Sequence, residues 1–314
     1  VTALSAPINH TVAAIDEACA ARALKDRRES TGINMSTVSS TECDRALWYT
    51  FRWAHDPERI EGRKQRIFDT GNVYERRLLD YLRSAGVDVV EVDEATGQQF
   101  RALLADGWLR GYIDGIASGV PEAPSTTHIV ECKTHNAKSF AQLTKAGVKV
   151  AKPEHYSQCQ LYMYARGLTR ALYLAVCKDD DAIYAERIEF DPKHALAVEA
   201  RVGRIVAADE APARFEGHWC SWCKSRAQCL DGAWARSNCR TCLHWQAVPG
   251  GNARCAKHDR YLSTGEQAAG CGDHRYLPSL VPGEQVDVID GDLIVYRLPD
   301  GTTWIDGQRE ASNV

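Results

Sequence analysis

Asp114, Glu131 and Lys133 are the residues of this 314-residue chain whose types and spacing admit hydrolytic chemistry. In HIVECKTHN (128–136) a run of apolar β-formers leads into an acid and a base two positions apart. Side chains alternate across a strand, so Glu131 and Lys133 share one face while Cys132 points to the other, towards a core. Asp114 lies earlier, in GYIDGIA, on a neighbouring expected strand. If the two strands pair as a hairpin, Asp114 comes beside Glu131. Two carboxylates and the backbone carbonyl of Cys132 would then form a hard oxygen site suited to Mg²⁺ or Mn²⁺. A lysine beside it can hold an attacking water and offset negative charge as a phosphodiester is displaced. Taken alone, a Glu-x-Lys pair on a strand reads equally well as a solvated cross-face ion pair.

The elements that must position these residues follow from periodicity. Helices are expected over 11–29, 36–54 (with Cys43 near the start of its second part) and 70–86, the last with Val73, Leu78, Leu79 and Leu82 as its apolar positions. The period then shortens to two, and strands are expected over 87–92, 107–118 and 128–134. A helix with Pro153 in its first turn covers 153–168, a hairpin turns at 179–181, and a helix covers 192–208. This order predicts an α/β fold: a mixed central sheet flanked by helices. Beyond 211 the composition shifts to Cys, His, Trp and Gly, as in metal-held segments that cannot build a core of their own. The tail alternates well and carries Asp-Gly pairs at 290 and 300, so a small β-meander is expected there.

Net charge is −4, which leaves no global electrostatic footprint for nucleic acid. One local candidate runs from Arg59 to Arg77, where Arg63, Lys64 and Arg66 cluster; a solvated helix face explains it equally well. There is no apolar run long enough to span a membrane, and the first thirty residues lack the layout of a signal peptide, so no membrane association and a cytoplasmic location are expected. In a reducing compartment, the twelve cysteines point to metal rather than disulfides. Cys19, Cys132, Cys159 and Cys177 stand apart in apolar or periodic segments and read as small buried hydrophobes.

Asp114 with Glu131-Cys132-Lys133 resembles the motif of the PD-(D/E)XK nuclease superfamily. Gly71 followed by Glu75 on the preceding helix, and Gln158 followed by Tyr162 on the next, resemble the RecB-like branch, which includes phage recombination and CRISPR-adaptation exonucleases. The resemblance covers roughly residues 36–232. It departs from the commoner pattern in having Glu75 where many members carry His. It implies that Asp114 and Glu131 bind the catalytic cation with help from Glu75, that Lys133 positions the nucleophile, and that Gln158 and Tyr162 support Lys133 or the substrate phosphate. In the iron–sulfur members of that branch one Cys before the core and three after it hold a [4Fe–4S] cluster, which here implies Cys43, Cys220, Cys223 and Cys229. The same four thiols would equally suit zinc. Arg45, next to such a cluster, could touch phosphate, and Trp48 or Tyr49 could stack on a base, although core packing is the expected fate of most of these aromatics.

A second set, Cys239, Cys242, Cys255 and Cys271, has the density of a closed Zn²⁺ site. The expected organisation is therefore an N-terminal helical segment (1–35), a RecB-like nuclease domain (36–232), a Cys₄ module (233–280) and a β-meander tail (281–314). The expected activity is that of a metal-dependent DNA exonuclease acting on single strands or free ends in phage or bacterial recombination, replication or repair, where a recombination protein could partner it. A structure-selective or restriction-type endonuclease, and a non-catalytic metal-stabilised DNA-binding or adaptor protein, are the alternatives.

Overall fold

The computed structural model describes residues 9–26, 29–215, 217–289 and 293–308. The expected Asp-Gly turn at 290 and the first eight residues of the N-terminal segment lie outside the described residues. The chain forms two compact units from interleaved segments: Val1–Glu29, Pro57–Ala102 and Tyr112–Pro192 make the first, and Ser30–Asp56, Leu103–Gly111 and Lys193–Val314 the second. The sequence reading grouped 36–56 and 103–111 with the nuclease core; in the structure both cluster with the C-terminal part of the chain.

The first unit is a mixed five-stranded sheet with helices. Its strands are β1 (Asp88–Val90), β2 (Gly115–Ser118), β3 (His128–His135), β4 (Arg170–Cys177) and β5 (Ile183–Glu189), and its helices are α1 (His10–Asp26), α2 (Gly62–Ser84), α3 (Ala137–Ala151) and α4 (Pro153–Arg166). The spatial order is β5-β4-β3-β2-β1. Only β3 and β4 pair in parallel, and the α3–α4 crossover that such a pair requires lies between them in the chain. The other neighbours are antiparallel, including the expected β4–β5 hairpin.

Leu78 and Leu79 of α2 pack with Val89, Ala117, Val130, Cys132, Leu172 and Leu174 in one buried cluster. Because β3 alternates, Val130 and Cys132 enter this core and Glu131 and Lys133 turn away from it. Cys159 and Cys177 are also buried, whereas Cys19 is only half-buried.

Three expectations change. The helix over 70–86 begins at Gly62, so the basic stretch read as a connector forms its first turns. Val73 is exposed and does not share the apolar face of Leu78 and Leu79. The strand expected over 107–118 breaks at Ile113–Asp114, between Leu109–Tyr112 and β2. Helix α3 was not expected at all. Asn136 caps it, accepting from Ser139 N at 2.9 Å; Leu143 and Val148 are its buried residues, and Gly147 at positive φ interrupts it near its end.

In the second unit, Arg240 is fully buried. Its guanidinium donates to the Phe51 carbonyl at 2.9 Å, the Thr31 carbonyl at 2.8 Å and Gln267 Oε1 at 2.9 Å. It also lies over the rings of Phe51, Trp53, Trp108 and Trp245, the nearest centroid 4.2 Å away. These bonds tie residues 31 to 53 to a small antiparallel sheet, Trp245–Val248, Asn252–Cys255 and Arg260–Leu262. Sequence reading found no periodicity in this segment. The tail is a three-stranded antiparallel meander, Glu284–Ile289, Leu293–Arg297 and Thr303–Asp306. In its turn at Asp300–Gly301, Asp300 accepts from Thr302 N at 2.9 Å and Gly301 adopts positive φ.

Helix α2 starts where it crosses α1, and a Cβ on Gly62 would overlap the backbone of Asp16. Gly62→Ala is therefore expected to destabilise the protein by about 1–3 kcal/mol, the range for overpacking a close contact. Chemical denaturation measures this, and a wild-type midpoint would refute the tight crossing.

Candidate active site

The antiparallel register of β2 and β3 pairs Gly115 with Val130, which brings the preceding Asp114 beside Glu131. Asp114 Oδ2 accepts the backbone N–H of Cys132 at 2.7 Å, fixing the carboxylate against β3. Lys133 Nζ donates to Glu131 Oε1 and lies 3.4 Å from the Cys132 carbonyl. Glu131 is fully buried, and its Oε2 has no hydrogen-bond partner. A buried carboxylate oxygen left bare is costly unless a cation or a proton meets it.

The electrostatics follow from this crowding. Burial first, and then the charge of Asp114, pushes the Glu75 carboxyl up to about 7, with Lys133 opposing. Burial likewise raises Glu131 to about 8 against the pull of Lys133, and it raises Asp114. Burial alone would lower Lys133, but Glu131 and Asp114 hold it above the ordinary lysine range. Three acids from α2, the β2 approach and β3 thus compete for one cation, Lys133.

Helix α4 presents Gln158 and Tyr162 on one face, and Gln158 Nε2 donates to Tyr162 Oη at 2.8 Å. Both are buried, and the Tyr162 hydroxyl is raised by burial and by Glu131 nearby. Glu75 and Lys133 line a cleft of about 540 Å³ with Gly71, Asn72, Thr134 and His155. Sequence reading missed His155 and its neighbour His135, since neither belongs to a recognisable spacing.

The basic stretch is partly neutralised. Lys64 pairs with Glu58 at 2.6 Å and Arg66 with Asp16, while Arg63 is exposed. Arg45, in the second unit, donates to the Pro212 carbonyl at 2.8 Å and stacks near Tyr49. Trp48 and Tyr49 are buried in that unit's core, as core packing predicts, and stacking on a nucleobase does not fit their surroundings.

Both cysteine sets lie in the second unit. Cys43 caps the helix Asp44–Phe51, its sulfur accepting from Ala46 N at 3.4 Å. Cys223 is raised by burial and by the neighbouring Cys43, Cys229 and Cys220, so all four thiols lie near one another. Cys239, Cys242, Cys255 and Cys271 line a cavity of about 10 Å³ together with His258, room for roughly one water-sized sphere. Cys242 accepts from Arg275 N at 3.4 Å, and the other three thiols raise Cys239 after burial. Among the described residues, no three or more His, Cys, Asp or Glu side chains are arranged to hold a metal ion. The thiols and the carboxylates are neighbours rather than closed shells.

No protein-family profile and no curated protein matches the sequence. Among solved structures the chain is similar to SSO0001, at 13% identity and a TM-score of 0.43, covering 71% of this chain and 97% of that one. It is also similar to the alkaline exonuclease LHK-Exo from Laribacter hongkongensis, at 19% identity and 0.41, covering 57% and 88%. The complex of LHK-Exo with dAMP gives 16% and 0.37, covering 61% and 90%. Likenesses this distant assign no activity, so the functional argument rests on the site.

Glu75 has an ordinary pKa of 4.5 and is raised to about 7 on folding. Between these values the folded chain keeps a proton that the unfolded chain releases, so this contribution to stability is present at low pH and lost as pH rises through about 7. Without divalent cations, Glu75→Gln should therefore melt roughly 2–4 °C above the parent at pH 8.5 and lose most of that gain at pH 5. An equal difference at both pH values would mean that Glu75 does not feel the other acids.

Proposed function

We propose that this chain is a Mg²⁺- or Mn²⁺-dependent deoxyribonuclease of PD-(D/E)XK type that hydrolyses phosphodiester bonds from a free end, on single-stranded DNA. The observation that carries the reading is the bare, buried Oε2 of Glu131 beside Asp114, with Lys133 on the other oxygen. A binding module has no need to bury two acids and a lysine together, since the uncompensated charge only destabilises it.

Asp114, Glu131 and the Cys132 carbonyl would hold the cation, with Glu75 assisting directly or through water. The bound cation would supply Lewis-acid polarisation of the phosphoryl group and lower the pKa of the attacking water. Lys133 would orient that water and balance the negative charge that grows on the phosphoryl oxygens as the water oxygen bonds to phosphorus, its proton passing to solvent, and the bond to the leaving sugar oxygen breaks, that oxygen taking up a proton from water. Gln158 and Tyr162 would keep the Glu131 side of the site dry and ordered.

The two thiol sets suit a structural role in the other unit. Cys43, Cys220, Cys223 and Cys229 would hold a [4Fe–4S] cluster, and Cys239, Cys242, Cys255 and Cys271 a Zn²⁺ ion. Protein purified without oxygen is expected to carry about four iron and one zinc per chain. Cys43→Ser should lose the iron and Cys255→Ser the zinc alone; two zinc and no iron would reject the cluster.

Asp114→Ala, Glu131→Ala and Lys133→Ala should each remove cleavage of end-labelled single-stranded DNA, by about a thousandfold or more, while DNA binding survives. Near-parental activity in all three would sink the nuclease reading. Covalently closed single-stranded circles should resist; if they are cut as fast as linear strands, the enzyme is an endonuclease on the same core.

A further inference from the structure

The cleft that holds Glu75 and Lys133 continues past them. One wall belongs to α2, where Ile67 and Phe68 remain 51% and 45% exposed. Large apolar side chains left this open beside a polar cleft are unusual unless something covers them. The opposite wall belongs to the end of β3 and the start of α4, with Thr134, His135, Lys152 and His155.

The histidines are held by a chain of hydrogen bonds running inwards. Ser139 Oγ lies 3.0 Å from His135 Nδ1, His135 Nε2 3.0 Å from Tyr173 Oη, and Tyr173 Oη 2.8 Å from His155 Nδ1. Tyr173 is completely buried and has a single hydroxyl proton, so it donates to one ring and accepts from the other. The protons along the chain must therefore alternate in one of two directions; in the one where Tyr173 donates to His155 Nδ1, His155 carries its hydrogen on Nε2, facing the rim. Burial, followed by the nearby lysines, keeps both imidazoles neutral at physiological pH. His155 Nδ1 is engaged inside, which leaves Nε2 for the rim, where Glu154 Oε1 lies 3.9 Å away. Glu154 opposes an anion there and Lys152 offsets it, while the Lys133 ammonium is engaged by Glu131.

We infer that this end of the cleft is a nucleotide subsite, in which Phe68 and Ile67 receive a nucleobase and His155 and Lys152 its phosphate. The identity of the ligand as DNA rests on the nuclease reading above. The cleft volume, about 540 Å³, lies within the range of small-ligand sites. A base lying on Phe68 has left its own stack, so the subsite selects an unpaired strand. Tyr173 and His135 are positioning residues: they reach the ligand only through the orientation of His155.

The test measures binding rather than cleavage. A labelled penta-thymidylate and a five-unit abasic deoxyribose-phosphate chain are titrated without added divalent cation. Phe68→Ala should weaken the thymidylate about tenfold and the abasic chain hardly at all, because stacking needs a base. Phe68→Trp should restore the discrimination. His155→Ala and Tyr173→Phe should weaken both ligands by the same factor, because they act on phosphate. Phe68 is nearly half exposed, so its truncation should leave the fold intact, and the melting temperature of each variant verifies this. If Phe68→Ala affects both chains alike, or neither, the subsite is refuted. A protein that discriminates as expected but cuts no DNA with Mg²⁺ or Mn²⁺ would refute the nuclease reading and keep the subsite; cleavage with no discrimination would do the reverse.

Discussion

The first unit is organised around one unfavourable act, the complete burial of the Glu131 carboxylate on a central strand. Moving an isolated charge out of water is prohibitive, so the surroundings must supply either a counter-charge or a proton. Lys133 supplies the first from the same face of the same strand, and the carboxyl pushed up to about 8 shows that the second is near at hand. With Asp114 and Glu75 adding negative charge, a single ammonium is too little for three acids. The arrangement is a poor structural salt bridge, and the proposed divalent cation would supply the positive charge it lacks. Since an acid with a raised pKa can take up a proton if Lys133 is lost, the pocket can survive the loss of its cation partner as a fold even though it cannot act as a site.

The second unit solves the opposite problem. Arg240 is a buried cation: two carbonyls and an amide oxygen receive its N–H groups, and four aromatic rings lie against its guanidinium. Guanidinium is delocalised and weakly hydrated, so this combination suits it where an ammonium would fail. Residues 239 and 242 flank this anchor, so the thiol pair Cys239 and Cys242 departs from a fixed point in the fold. The Asn238 cap adds to this, accepting from Arg240 N at 2.8 Å within a reciprocal pair with Thr241.

What could be read from the sequence depended on how local each signal was. The Asp114–Glu131 pairing followed from a strand alternation and a short loop, and Glu131 with Lys133 from the period of two alone. The Cys239 and Cys242 spacing was equally visible, whereas grouping Cys43 with Cys220, Cys223 and Cys229 needed a family resemblance. Helix α3 escaped although Leu143 and Val148 mark a buried side, since Gly147 at positive φ breaks the pattern within it. In the aromatic helix Asp44–Phe51 the expected core packing is what the structure shows, and Trp48 and Tyr49 are buried rather than open to bases. His135, Tyr173 and His155 come from β3, β4 and α4, and no spacing in one dimension links them.

In the proposed subsite, those three residues would place neutral imidazoles beside lysine. Lysine carries charge on a flexible stem and gives strength without direction. A third and fourth full charge in the cleft would draw the acids of the catalytic cluster towards themselves, weakening their hold on a divalent cation. With Tyr173 donating to its inner nitrogen, the neutral His155 ring offers an outward N–H and no net charge, so it can orient a ligand without disturbing Asp114, Glu131 or Glu75. The same burial that denies His155 a proton therefore keeps two functions in one cleft electrostatically separate.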